Sequence, residues 1–225
     1  METDRSQTTA GHERALRIAR HLLRIGAVSL SPSKPYTWAS GRLSPVYCDN
    51  RLTLGYPDVR ADIAAGFGAV LKEKSIPCDV VIGTATAGIP HAAWLADRLG
   101  LPMAYVRSRA KEHGRGNQIE GLALEGSHAV VIEDLVSTGM SSTAVLAPLA
   151  DAGIHVEAVL AIFTYGLPSA DEAFARAGVP LFTLSNFSAL IEASTETGSL
   201  TGQETASLQS WYRNPSQWSL DLGGE

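Results

Sequence analysis

The chain has 225 residues, 45% hydrophobic and 18% charged, which supports one sizeable core and fits one domain better than two. Its net charge of −5, from 18 basic and 23 acidic residues, excludes the broad basic field that duplex nucleic acid selects. The two cysteines, Cys48 and Cys78, form no CxxC pair and have no histidine cluster at metal spacing, so they read as reduced thiols of a cytoplasmic protein; no apolar signal core opens the chain and no run suits a membrane span.

In chain order, residues 12–25 predict a helix, with Leu16, Ala19, Leu22 and Leu23 at helical spacing and arginines opposite. Residues 30–47 are rich in Ser, Pro and aromatics and lead to a short strand near 45–48. From there strands and helices alternate. Residues 58–73 predict a helix behind Pro57, 79–83 a strand, 89–99 a helix and 103–107 a strand. Residues 108–121, polar and holding Gly114, Gly116 and Gly121, read as a mobile loop. Then follow a strand at 129–133, a helix at 141–152 ended by Gly153, a strand at 156–165, a helix at 172–177, a strand at 181–184 and a last helix at 201–213. This alternation predicts an α/β fold with a parallel sheet covered on both faces. The N-terminal part and the last helix fall outside it and are expected to pack together as a cap.

The strongest local signal is AVVIEDLVSTGMSS, residues 129–142. Ligands of open parallel sheets bind beyond the carboxyl ends of strands. Here Glu133 and Asp134 follow a buried strand, and Ser137, Thr138, Gly139, Ser141 and Ser142 lead into a helix. Free amides at a helix start, with hydroxyl donors beside them and Gly139 permitting close approach, suit a phosphate. Adjacent carboxylates do not; they accept from vicinal hydroxyls. Acceptors first and phosphate donors a few residues later is the order a ribose 5-phosphate needs. No GxxxxGK[ST] and no GxGxxG after a strand occur, so nucleoside-triphosphate and dinucleotide sites lack their fingerprints. An ordinary Ser/Thr-capped helix would explain the hydroxyls but not the two acids.

Two further segments invite a ligand. Arg107, Arg109, Lys111, His113 and Arg115 fall at every second position, so in an extended chain they project to one side, opposed only by Glu112. A solvated charged loop is the plain alternative. The regular spacing in an acidic protein favours an arriving anion, such as a pyrophosphate leaving group. Thr84, Ala85, Thr86, Ala87 and Gly88 follow one strand and open a helix, and their small side chains suit a diphosphate near the backbone.

Residues 129–142 resemble the phosphoribosyl-pyrophosphate signature of type I phosphoribosyltransferases. YTWASGRLSPVYCDNR (36–51), GTATAGIPHA (83–92), YVRSRAKEHGRGNQIEG (105–121) and IFTYGLP (162–168) narrow the resemblance to the orotate phosphoribosyltransferase family, in its Gram-positive-type bacterial subgroup. It runs from about His21 to Trp218. It implies a Rossmann-like parallel sheet flanked by helices in a single domain 1–225, with a hood formed by roughly 10–50 and 200–220. It also implies Mg2+ held mainly through substrate, with no direct protein ligand, and a homodimer in which loop 107–120 enters the neighbouring subunit's site.

By that resemblance Lys111, His113, Glu133 and Asp134 are catalytic. Phosphoribosyl pyrophosphate is bound by these four with Arg107, Leu135, Val136, Ser137, Thr138, Gly139, Met140, Ser141 and the 84–88 loop. Orotate is bound by Ser137, Arg42, Tyr47 and Tyr165. Three positions depart from the pattern: Ala39 and Ala87 stand where many members have lysine, and Tyr165 where many have arginine. Two alternatives remain at this stage, a transferase acting on another base such as a purine, and a regulator that binds the sugar diphosphate without catalysis.

Overall fold

The computed structural model describes residues 2–38, 41–107 and 118–224; Ala39, Ser40, Arg109, Lys111, His113 and Arg115 lie outside the described residues. The chain opens with α1 (Glu2–Arg24), β1 (Val28–Leu30), β2 (Tyr36–Thr37), β3 (Leu43–Ser44), β4 (Val46–Cys48), a 3-10 helix (Asn50–Gly55) and α2 (Pro57–Lys74). Next come β5 (Val80–Thr84), α3 (Gly88–Leu99), β6 (Met103–Val106) and β7 (Ile119–Gly121). After them follow β8 (His128–Val136), α4 (Met140–Ala144), α5 (Leu146–Asp151), β9 (His155–Thr164), α6 (Pro168–Ala177) and β10 (Leu181–Asn186). Helices α7 (Phe187–Glu196), α8 (Gly202–Arg213) and α9 (Pro215–Asp221) complete the described chain.

Strands β5 to β10 make one sheet in the order β10-β9-β8-β5-β6-β7, parallel except where β7 runs antiparallel to β6. The two faces follow from the period of two along each strand. Val81, Val130, Ile132, Leu160 and Leu184 point to one face, covered by apolar residues of α1, α2, α3 and α7 such as Leu22, Phe67, Leu95 and Leu190. Val80, Ile82, Val131, Val159 and Ala161 point to the other, covered by Leu146, Leu149 and Phe174 of α5 and α6. The chain leaves β5 for β6 on one side and returns to β8 on the other, so the strand order reverses between β5 and β8. A crevice opens at such a point, beyond the carboxyl ends of the strands.

The alternation and the parallel sheet agree with the sequence, and the departures have local causes. The strand expected at 129–133 runs on to Val136, because β9 reaches Thr164 and gives Leu135 and Val136 ladder partners. The helix expected at 141–152 is two helices that meet at Val145. Pro148 has no N–H for the carbonyl of Ala144 and its ring crowds that position, which ends the first helix there. The end of the expected loop is the edge strand β7, where Ile119, Glu120 and Gly121 pair with Val106, Tyr105 and Ala104. Helix α7 was not anticipated; Asn186 caps it by accepting from the Ala189 N–H at 3.0 Å. Nor was α9, which Asn214 caps by accepting from Gln217 N–H at 3.1 Å.

The small strands and the last helices meet beside the sheet. The Leu43 N–H donates to Ser219 Oγ at 2.9 Å, and the Trp38 ring lies 6.2 Å from that of Trp211 and 5.6 Å from that of Tyr165.

Candidate active site

A cleft of about 610 Å³ lies at the reversal between β5 and β8. It brings together three stretches that the sequence keeps apart: residues 84–87 at the end of β5, Glu133 to Ser141 at the end of β8, and Cys48 to Leu54 around the 3-10 helix. Thr84, Ala85, Thr86, Ala87, Glu133, Asp134, Leu135, Ser137, Thr138 and Ser141 all line it.

Glu133 is buried, 9% exposed, and its carboxylate is held on three sides. Thr84 Oγ1 donates to its Oε1 at 2.7 Å, the Asp134 N–H donates to the same oxygen at 3.1 Å, and Ser142 Oγ donates to Oε2 at 3.1 Å. The Ser142 hydroxyl is therefore spent on the acid and is not directed to a ligand. Burial pushes the Glu133 carboxyl well above the usual carboxylate range, and the neighbouring Asp134 charge adds to this. Burial raises Asp134 as well. Past the end of β5 the Asp134 carbonyl has no strand partner, and Asn50 Nδ2 fills the vacancy at 2.6 Å.

The turn after Asp134 uses a left-handed residue at Gly139, φ 78°. A Cβ there would also meet Ala173 and Ala170 of α6 at 3.1 and 3.3 Å, so the glycine lets the turn settle against that helix. Helix α4 then begins at Met140, whose side chain is 74% exposed. On the other wall the peptide between Ala85 and Thr86 is cis. Gly88 does not line the cleft: a Cβ on it would stand 2.2 Å from the Ile132 carbonyl oxygen and 2.5 Å from Thr84 Oγ1. The close packing of α3 on β8 leaves no room for a side chain at this position.

Other expected site residues lie at the margins. Arg107 closes β6, where its N–H donates to the Gln118 carbonyl at 2.9 Å and its guanidinium lies 3.9 Å from Glu120. Lys111 and His113 lie outside the described residues. Arg42 is exposed on the β2–β3 turn, and Tyr47 is 45% exposed with its ring against Tyr36. Tyr165 is 4% exposed at the end of β9, where its ring meets Trp38, Phe163 and Trp211. Val136 is buried in the sheet.

Sequence reasoning did not single out Cys48, Asp49, Arg51 and Leu54 as lining residues. Asp49 accepts from the Arg51 N–H at 3.2 Å and pairs with its guanidinium at 2.6 and 2.8 Å. That contact holds the Asp49 carboxyl below the usual carboxylate range. The signal was an aspartate two residues before an arginine just after a strand, a local capping pattern. Among the described residues no group of three or more His, Cys, Asp or Glu could hold a metal ion, and no helix is long and apolar enough to cross a membrane.

A phosphoribosyl transferase domain model matches residues 61–156. An orotate phosphoribosyltransferase of Bacillus subtilis is 54% identical over 198 residues, covering 88% of this chain and 92% of that protein. One of Listeria monocytogenes is 52% identical over 201 residues, covering 89% of this chain and 96% of that protein. The crystal structure of an orotate phosphoribosyltransferase from Aeropyrum pernix superposes with a TM-score of 0.70 at 33% identity, over 82% of this chain and 99% of that one.

Proposed function

The chain belongs to the orotate phosphoribosyltransferase family, and we propose that it transfers ribose 5-phosphate from 5-phosphoribosyl 1-pyrophosphate to N1 of orotate, yielding orotidine 5′-monophosphate and pyrophosphate in de novo pyrimidine synthesis. The carrying observation is the meeting, in one cleft, of a carboxylate pair, a hydroxyl-rich turn and a loop of small residues.

Each wall has a use. Glu133 and Asp134 accept from the ribose 2′ and 3′ hydroxyls. The turn at residues 137–141 takes the 5′-phosphate through its amides and hydroxyls. The diphosphate lies along residues 84–87, which offer hydroxyls and amides where Ala87 offers no charge. Bond breaking at C1 builds cationic character on the ribose and negative charge on the departing pyrophosphate. No covalent nucleophile is required; positioning and electrostatic stabilisation lower the barrier. Lys111 and His113 are assigned to the leaving group, and Arg107, anchored where β6 meets the 108–117 segment, to the ligand of a neighbouring subunit. Closure of that segment would exclude water from the reactive sugar. Arg42, Tyr47, Ser137 and Tyr165 are assigned to orotate.

The donor set fits Mg2+ in one manner. The two adjacent carboxylates are hard oxygen donors but, among the described residues, belong to no cluster that could enclose an ion. The ion would be held mainly through the substrate, with Glu133 and Asp134 as the nearest protein carboxylates. When bound it supplies positive charge against the diphosphate. The same reading treats residues 1–225 as one domain with a hood from roughly 10–50 and 200–220, in a cytoplasmic homodimer.

The test is loss of orotate absorbance in the presence of the sugar diphosphate and magnesium. Wild type consumes orotate, and Lys111→Ala slows it by about a hundredfold or more. Turnover of a purine with none of orotate overturns the choice of base, and unchanged orotate beside tight binding of the sugar diphosphate overturns catalysis.

A further inference from the structure

The cleft is short of positive charge for the ligand assigned to it. Among the described residues that line it, Asp49, Glu133 and Asp134 are acidic and Arg51 alone is basic. A ligand with a phosphate and a diphosphate needs cationic partners. The loop at 84–87 carries none, since Ala87 occupies its last position.

Arg51 is placed to supply one. It sits on the 3-10 helix, which is fixed to the diphosphate wall and to the acid pair at once. Thr53 of that helix is in hydrogen-bond contact with His91 Nε2 of α3 at 3.2 Å. The Leu54 carbonyl accepts from Arg60 Nη1 at 3.0 Å, and the Arg60 guanidinium lies 4.8 Å from the ring centre of Trp94 on α3. Asn50 holds the Asp134 carbonyl at 2.6 Å. The backbone of Arg51 is thus anchored while its side chain is 68% exposed, paired with Asp49 at the cleft wall. An exposed pair of this kind is weak enough to be exchanged for a better anion.

The ribose fixes which anion that is. With its 2′ and 3′ hydroxyls on Glu133 and Asp134 and its 5′-phosphate on the turn at 137–141, the ribose would carry C1 across the ring from C4 and the 5′ arm, which leaves the two other lining stretches, residues 84–87 and 48–54, for the diphosphate. We propose that Arg51 exchanges Asp49 for the diphosphate of the bound substrate and provides the cationic contact that Ala87 withholds. This rests on the reading of the cleft given above.

The experiment compares wild type, Arg51→Ala, Arg51→Lys and Asp49→Asn. Calorimetry with magnesium present measures binding of pyrophosphate, ribose 5-phosphate and orotate separately, and initial rates give KM for each substrate. Arg51→Ala should weaken pyrophosphate binding and raise KM for the sugar diphosphate by about tenfold or more, while ribose 5-phosphate and orotate binding stay within about twofold. Arg51→Lys should fall between, because it restores charge but not the planar fork. Asp49→Asn, which breaks the pair but keeps the cation, should bind pyrophosphate as well as wild type or better. Unchanged pyrophosphate binding in Arg51→Ala overturns the assignment. So does a loss that falls on ribose 5-phosphate or orotate, or an equal loss in Asp49→Asn, which would assign Arg51 to holding the helix. A wild type that binds pyrophosphate through Arg51 yet leaves orotate unconsumed would sink the proposed reaction and leave this assignment standing.

Discussion

Thr84 Oγ1, at the end of β5, donates to Glu133 Oε1 at 2.7 Å and so ties the two strands together at the point where the sheet reverses its order. The bond joins the wall proposed for the diphosphate to the acid proposed to receive the ribose. Thr84→Val keeps the shape and removes the donor. The buried carboxylate then loses one of three hydrogen bonds, a cost of about 1–3 kcal/mol. Thermal melting should show that loss, and KM for the sugar diphosphate should rise by about tenfold. A variant with wild-type KM would separate the tie from ligand binding.

Gly88→Ala should be far more damaging than its size suggests. The added Cβ would stand 2.2 Å from the Ile132 carbonyl oxygen, which is backbone of the central strand and cannot swing aside. Helix α3 must then move off β8, and the Thr84 hydroxyl, 2.5 Å from the same Cβ, moves with it. Overpacking at such sites costs roughly 1–3 kcal/mol or more. Denaturant unfolding should show a lower midpoint with loss of activity in the remaining folded fraction. Full stability would mean that α3 can shift off β8 at little cost.

The contrast between these glycine, threonine and acid positions shows where the sequence was legible. That Glu133, Asp134 and the following hydroxyls share one cleft could be read because they are consecutive at the end of a strand. The strands could be read because apolar runs such as residues 129–132 have one use in a parallel sheet. The presence of Arg51 and Asp49 at the cleft could not, because it depends on the 3-10 helix packing against α3 and β8, a contact between distant segments. The packing demand on Gly88 was not legible either, since a glycine needed for close approach to Ile132 and one needed for a phosphate look alike in sequence. Helix α7 was overlooked because it starts at Phe187, immediately after β10, with no intervening loop to mark it.

His91 should make the protein acid-sensitive. It is 1% exposed, its Nδ1 has no hydrogen-bond partner, and burial depresses its pKa to about 4. The unfolded chain binds a proton near pH 6.5 that the folded chain refuses until about pH 4. Stability from this group is therefore complete above about pH 6.5 and is lost as pH falls towards 4, by roughly 3 kcal/mol at most. Melting curves of wild type and His91→Gln over that range should converge at low pH, because the variant lacks the titration. Parallel curves would refute the assignment.

Glu133→Gln should reveal the opposite slope. Burial and the Asp134 charge raise the Glu133 carboxyl, so between the ordinary carboxylate range and that raised value the folded chain holds a proton the unfolded chain has released. Stability from this acid is present below the unfolded pKa and is lost as pH rises through the folded one. The variant removes the charge but keeps an oxygen for Thr84 and for the Asp134 N–H. Without ligand it should melt above wild type near pH 8, and the difference should vanish near pH 4, where both side chains are neutral. On the proposed reading of the cleft the ribose hydroxyls lose their charged acceptor, so KM for the sugar diphosphate should rise by about tenfold or more. An acid retained for binding at the expense of the empty fold requires both effects, measured by melting and by steady-state rates. A variant that is less stable at pH 8 and binds as tightly as wild type would show that Glu133 serves packing alone.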